Sequence, residues 1–323
     1  MKIGNLKLEV FPILLAPMEE ITGSAFRRLC KHYGADIVYT EFIAADGLIR
    51  DAKKSMQKLY FQENERPIGI QIFGNDESGM RKAAEVAAEA NPDIIDINWG
   101  CPVKKVVKKF SGSGMLQAPE QLIKITAEVV KSVNIPVTVK TRLGWDESNK
   151  PIVELSERLQ DAGIKALTIH GRTRSQLYKG KADWTLIGKI KENPRIKIPI
   201  FGNGDITSPE IALAMKEKYH VDGIMIGRAA IGNPYIFTQT KHFIKTGTLL
   251  PPLSLAKKAA LCRKHLLEEI YEKGERSAIF EMRRQYAHYF KGISGIKPYR
   301  IELMQVENVD QVLSILDKIL TLE

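Results

Sequence analysis

Eight short apolar runs, each leading towards a stretch of helical period, constrain this chain more than any other property of its sequence. The runs occupy residues 13–17, 37–40, 68–73, 94–98, 137–141, 166–170, 198–203 and 223–226, and amphipathic stretches lie at 23–33, 77–90, 119–132, 152–162, 184–191, 209–219 and 234–246. Runs this short and this rich in Ile and Val suit strands buried on both faces, and their alternation with helices is the pattern of a parallel sheet. Eight such units predict an α/β fold, a closed (β/α)8 TIM barrel. A doubly wound open sheet is the alternative, but no glycine-rich dinucleotide fingerprint follows the first run.

The flanks differ from the repeat. Residues 2–10 alternate weakly around Gly4-Asn5 and predict a small hairpin closing the bottom of the barrel. After Thr246 the segment LLPPLS is rich in proline, and beyond it the chain has helical period without strand signals. Two domains are therefore expected: a barrel with its hairpin over 1–246, and a small all-helical domain over 247–323 that ends in an apolar helix at 311–322. Phe280, Tyr289 and Phe290 are expected in the core of that domain, as are the helical Cys30 and Cys262.

Composition narrows the chemistry. The chain carries a formal net charge of +10, which suits a polyanionic partner or simply good solubility. Cys30, Cys101 and Cys262 are odd in number and far apart, so no disulfide framework or zinc site is indicated, and no metal is expected. No apolar run approaches membrane-spanning length, and the expectation is a soluble cytoplasmic protein without membrane contact. A monomer is the working expectation.

The stretch Asp93 to Gln117 runs from a strand into a cysteine, four lysines and glycines. Cys101 sits between Gly100 and Pro102, which excludes a helix interior, so its thiol is expected on a loop. A lone cysteine is more often a small buried hydrophobe. Asn98 before it and the basic run after it favour a chemical role.

If the barrel is right, residues just past the strands converge on one mouth. Ala16, Pro17 and Met18 could lie under a flat ring, and Gln71 offers an amide to its polar edge. Lys140, Arg142, His170, Arg172, Asn203, Gly204, Asp205, Gly227 and Arg228 come from successive strand ends. Any one could be a hydrogen-bonded barrel residue; six polar strand ends together are hard to explain as packing. The glycines at 202, 204 and 227, with Arg228, suit a phosphate held by backbone N–H groups. A phosphorylated cofactor with a flat ring is therefore expected, and FMN fits, with Lys140 placed to stabilise its anionic reduced form.

The motifs LAPM, QIFG, DINWGCP, VKTRLGW, IHGRTR, FGNGDI and MIGRAAIGNP, in barrel order, resemble those of the tRNA-dihydrouridine synthases, most closely the bacterial B-type subfamily. The resemblance runs from about Phe11 to Phe243 and more thinly into RRQYAHYFKGISGIKPYR of the tail. It implies a flavoprotein oxidoreductase in which NADPH reduces FMN and the C5=C6 bond of a uridine in tRNA is reduced in turn. Ala16, Pro17, Met18, Gln71, Lys140, His170, Asn203, Gly204, Asp205, Gly227 and Arg228 would hold FMN. Cys101 would donate the proton, with Asn98, Lys140, Arg142 and His170 around the uracil. Trp99 and Phe110-Ser111-Gly112 depart from the family pattern and bear on loop shape.

A uracil inside folded RNA must swing out to be reached, which calls for a broad basic surface. Lys104, Lys105, Lys108 and Lys109 form one run and Arg172, Arg174, Lys179 and Lys181 a second. Arg283, Arg284 and Arg300 belong to a third, interleaved with Tyr286, His288 and Tyr299, where cations could position phosphates and rings stack on bases. Lys104 and Lys105 would tend to lower the Cys101 pKa. Two other functions remain in view: a barrel flavoenzyme acting on a free pyrimidine, which leaves the basic tail unexplained, and a flavin-containing tRNA-remodelling protein, which leaves Cys101 unexplained.

Overall fold

The computed structural model describes residues 1–322. A two-stranded hairpin, β1 (Lys2–Ile3) and β2 (Leu6–Lys7), precedes nine parallel strands. These are β3 (Ile13–Leu15), β4 (Val38–Tyr39), β5 (Ile43–Ala44), β6 (Ile68–Phe73), β7 (Ile94–Trp99), β8 (Val137–Arg142), β9 (Ala166–His170), β10 (Ile200–Asn203) and β11 (Gly223–Ile226). Neighbours take the order β3-β11-β10-β9-β8-β7-β6-β4, and the ring closes where Leu14 bridges Ile37 in parallel. The eight runs are thus the eight staves of a barrel.

The second stave is broken in a way the sequence pattern did not signal. β4 pairs the start of β6 and β5 its end, with Ile43 opposite Ile72. Gly69 accommodates the Tyr39 ring inside the barrel, since a Cβ at 69 would lie 2.5 Å from its Cδ1. That ring joins Leu14, Ile94, Ala166, Phe201 and Met225 in an interior cluster, and Ile3 of the hairpin enters the same cluster from below. The larger core lies between the strands and the surrounding helices.

Local chemistry sets the helix starts. Asp76 accepts from the Gly79 N–H, and Ser208 accepts from Ile211 with Pro209 in the first turn. Helices from Leu255 onward, Leu255–Lys273, Glu275–Tyr289, Lys297–Leu303 and Val309–Ile319, share a second hydrophobic cluster that also takes in Leu29 of the barrel helix Ser24–His32. Arg28 on that barrel helix pairs with Glu268 at 2.9 Å and with Glu272, and Arg284 reaches Glu20 at 2.8 Å. At Gly232 the two parts touch backbone to backbone: a Cβ there would stand 2.4 Å from the Tyr289 nitrogen.

Tyr289 and Phe290 are buried as expected, but Phe280 is 52% exposed. The buried face of Glu275–Tyr289 is Ala278, Ile279, Met282, Gln285, Tyr286 and Tyr289, a helical stripe that Phe280 misses by one position. Cys30 and Cys262 are fully buried. Among the described residues no helix is long and apolar enough to cross a membrane.

Candidate active site in the barrel mouth

At the carboxyl ends of the strands lies a cavity of about 920 Å³, walled by barrel loops on one side and by Leu253, Lys258, His288 and Lys291 of the C-terminal part on the other. Ala16, Pro17, Met18, Asn98, Cys101, Lys140, Arg142, His170, Asn203, Gly204, Asp205, Gly227 and Arg228 all line it. Gln71 does not; it is fully buried one layer below. Arg283, Arg284 and Arg300 lie outside the wall.

Parallel register explains the convergence. Asn98 stands opposite Lys140 across β7 and β8, and Arg142 opposite His170 across β8 and β9. The alternation of a strand then puts Asp96 and Asn98, and beside them Thr138 and Lys140, on one face. Gln71 Nε2 donates to Asp96 Oδ2 at 2.6 Å, Thr138 donates to Asp96 Oδ1 at 2.5 Å, and Asn98 Nδ2 donates to Gln71 Oε1 at 2.8 Å. Asn98 Oδ1 in turn accepts from the N–H groups of Gly100 and Cys101, each at 2.9 Å.

Cys101 is held from the other side as well. Ser113 donates both its N–H, at 3.1 Å, and its hydroxyl, at 2.8 Å, to the Cys101 carbonyl. Gly112, at φ +55°, packs so closely that a Cβ would meet the Cys101 carbonyl oxygen at 3.0 Å. Cys101 is 7% exposed, so the loop cysteine is a buried one facing the cavity. Burial pushes its pKa up, against a hydrogen bond from Val103 and the charge of Arg142. Lys104 and Lys105, expected to lower it, point to solvent. Trp99 turns away from the mouth and donates to Thr126 at 3.1 Å, so this departure from the family pattern packs in the helix layer.

The cations differ in their duties. Lys140 Nζ has no hydrogen-bond or ion-pair partner among the described residues, and burial, then Arg142, lowers its pKa to about 8. Arg142 uses Nε on the Gly100 carbonyl at 2.7 Å and Nη1 on those of Thr173 and Leu177, both at 3.0 Å. Its Nη2 remains for a ligand. Burial, then the charges of Arg142, Lys140, Arg172 and Arg228, holds His170 well below the ordinary imidazole range, and its Nε2 lies 3.3 Å from Arg172. It is neutral, with its proton on Nδ1.

Two arginines of the basic runs have partners within the protein. Arg172, expected on an RNA surface, is 1% exposed and makes a bidentate pair with Asp205 at 2.9 and 2.7 Å while also donating to the carbonyls of Lys179 and Gly180. It pins the loop that carries Tyr178 over the mouth. Arg283, likewise expected to meet RNA, donates to the Val306 carbonyl at 2.8 Å and packs over Phe280. Arg284 is exposed but paired with Glu20, and Arg300 is exposed.

The fit of a flavin mononucleotide can be judged from the walls. Gly204 has φ +118°, and a Cβ there would strike Ala182 at 2.8 Å and His170 at 2.9 Å; Gly227 leaves open the space between Ala16 and Met18. Glycine backbone beside Arg228, a floor of Ala16, Pro17 and Met18, and the unpartnered ammonium of Lys140 suit a phosphate, a flat ring and an anionic ring edge respectively. Asp205 needs another account. Burial alone would raise its pKa, but the Arg172 pair holds it low, so it stands as a carboxylate bound to protein. Asn203 donates to the Met225 carbonyl at 2.7 Å and fixes the loop.

Tyr178 was missed by the sequence reading. Its ring lies 5.7 Å from the Arg142 guanidinium and 4.9 Å from that of Arg228, and it lines the cavity from a loop without periodicity. Lys258 was missed too. Among the described residues no cluster of His, Cys, Asp or Glu could hold a metal ion.

The family model described as dihydrouridine synthase matches residues 14–322. The chain is 40% identical over 304 residues to tRNA-dihydrouridine synthase B of Pasteurella multocida, covering 93% of this chain and 90% of that one. It is 37% identical over 298 residues to tRNA-dihydrouridine synthase B of Pseudomonas aeruginosa, covering 92% and 89%. Among solved structures, one of morphinone reductase superposes with a TM-score of 0.53 at 12% identity, covering 78% of this chain and 91% of that one. At that identity the likeness concerns the barrel fold alone.

Proposed function

The chain belongs to the dihydrouridine synthase family, and on that premise we propose that its barrel mouth seats FMN and a uracil together, with Cys101 as the acid that protonates uracil C5. The protein is a flavin-dependent oxidoreductase that forms dihydrouridine in tRNA, with NADPH as reductant. FMN, when bound, supplies the two electrons and the hydrogen that add to C6. Every other requirement falls on the chain.

Ala16, Pro17, Met18, Gly204, Gly227 and Arg228 would hold the cofactor, with Lys140 beside its ring. His170, Asn203 and Asp205 shape the wall, and Gln71 acts from behind it. As negative charge grows on the uracil carbonyls, Lys140, the free Nη2 of Arg142 and the second N–H of the Asn98 amide are the donors available to stabilise it. The observation that carries the acid assignment is a thiol buried on the cavity wall whose pKa burial raises. Such a thiol is protonated at rest, so it can release H⁺ to C5 and recover it from solvent through the mouth.

The tRNA would be gripped by cations around that mouth. Lys258 and Lys291 face the cavity from the helical part, and Lys104, Lys105, Lys108 and Lys109 stand exposed on the loop after Cys101. We assign residues 247–323 to tRNA binding and 1–246 to catalysis, and place the reaction in the cytoplasm, where tRNA is processed. Phosphate contacts of this kind orient the RNA without reading its sequence.

The test is Cys101→Ala. FMN should stay bound and NADPH should still reduce it, while uridine reduction falls by roughly 10²- to 10⁴-fold, the usual worth of a positioned general acid. Dihydrouridine formed at the wild-type rate in a single turnover would remove Cys101 from the mechanism.

A further inference from the structure

We propose that Asp96 is a positioning residue whose carboxylate, acting through Gln71 and Asn98, fixes the direction of a hydrogen-bond chain that ends on the backbone of Cys101. The proposal rests on the reading of Cys101 as the acid.

The geometry has one sense only. Gln71, Asp96 and Thr138 are register partners on β6, β7 and β8, so their side chains share a layer beneath the cavity. Asp96 is 2% exposed, and although burial raises its pKa to about 6, it is ionised at neutral pH. An ionised carboxylate can only accept hydrogen bonds. Gln71 must therefore turn Nε2 towards Asp96, which leaves Oε1 facing Asn98. Asn98 must then give Nδ2 to Gln71, and its Oδ1 is left to take the N–H groups of Gly100 and Cys101. Each amide is oriented by the one before it.

A reversed chain fails at its far end. If the group at 96 donated, Gln71 would flip and offer N–H to Asn98, whose own N–H₂ would then face the N–H groups of Gly100 and Cys101. Donor would meet donor, and the loop would lose both anchors. The plainer account is that these groups merely satisfy one another in a buried layer. It predicts that any isosteric partner at 96 serves as well.

Three variants separate the two accounts: Asp96→Asn, Gln71→Glu, and the double variant. The first removes the demand for an acceptor, and the second sets two carboxylates face to face. In the double variant the amide at 96 donates to the carboxylate at 71, whose other oxygen again accepts from Asn98, so direction and charge are restored together. The first readout is the rate at which iodoacetamide alkylates Cys101 in flavin-free protein, measured by mass spectrometry of its peptide. Cys30 and Cys262, both 0% exposed, serve as internal references. Each single variant should alkylate about fivefold faster, the equivalent of one net hydrogen bond of roughly 1 kcal/mol, and the double should return to within about twofold of wild type.

The second readout is single-turnover uridine reduction in FMN-loaded enzyme, where each single variant should be slower by about the same factor and the double should recover. Wild-type alkylation in Asp96→Asn, or a double variant no better than the worse single, overturns the proposal. If a single variant does not fold, a folded double with wild-type alkylation still supports the chain of direction, and a double that also fails to fold overturns it. Failure of the acid reading would show differently: Cys101→Ala would remain active while the alkylation pattern and its rescue persisted.

Discussion

Replacing Arg172 by Leu distinguishes a clamp from an RNA contact. The guanidinium donates twice to Asp205 and once each to the carbonyls of Lys179 and Gly180. A hydrogen bond to a charged partner contributes about 1.5–3 kcal/mol. Four on one side chain do not add, and burial of the cation costs several kcal/mol against them. Breaking a buried pair by removing one member costs about 3–5 kcal/mol. The Asp205 side chain is 33% exposed and can be rehydrated, so the lower end applies, about 3 kcal/mol. For a chain of 323 residues, with an unfolding entropy of about 2.1 cal/mol/K per residue, that lowers Tm by roughly 4–5 °C, measurable by scanning calorimetry. The released loop should also free Tyr178, weakening uridine reduction more than flavin reduction. A Tm within about 1 °C of wild type, with weaker tRNA binding and a shallower salt slope, would make Arg172 a phosphate contact and refute the clamp.

Lys140 gives a pH dependence. Burial and then Arg142 lower its pKa from 10.5 to about 8, so between these values the unfolded chain binds more protons and this group's contribution to folding stability rises with pH. Activity runs the other way: single-turnover uridine reduction should fall as pH climbs through about 8, because the cation is lost before the Cys101 thiol ionises. The pH–rate profile of Lys140→Arg should lack that alkaline limb, and a limb unmoved by the substitution would assign it elsewhere. At the rim, Lys258→Ala with Lys291→Ala should flatten the salt dependence of tRNA binding by about two counterions, with NADPH oxidation by the flavin unchanged. Arg283→Ala should instead lower Tm and leave that slope alone; the reverse pattern in filter-binding and melting experiments would exchange their roles.

The strand runs carried most of the fold, because strands buried on both faces are mostly apolar and each ends in a visible break. The mouth was legible for the same reason: once strand ends are known, a parallel barrel gathers the residues just beyond them. What the sequence hid was partnership. Arg172 reads as one more cation in a basic run, and nothing in its neighbourhood announces that the loop folds back onto Asp205. Gln71 reads as a strand-end amide, yet it lies a layer deeper than its cavity neighbours and is engaged by Asp96 and Asn98. Tyr178 stands in a loop without period, so no pattern aims it at the mouth. Phe280 is different, since the spacing of Ile279, Met282 and Tyr286 was available and excludes it from the buried stripe. There, residue type outweighed position in the reading.

Gly232 governs how closely the barrel and the C-terminal helices approach. A hinge needs a gap, or a layer of side chains that can reshuffle, and here main chain rests on main chain. With the ion pairs of Arg28 and Arg284, the contact ties the helices to the barrel through main chain as well as through charge. Any side chain at 232 would have to displace the main chain of His288 and Tyr289 and would be strained at φ +63°, so it would act as a shim between barrel and helices.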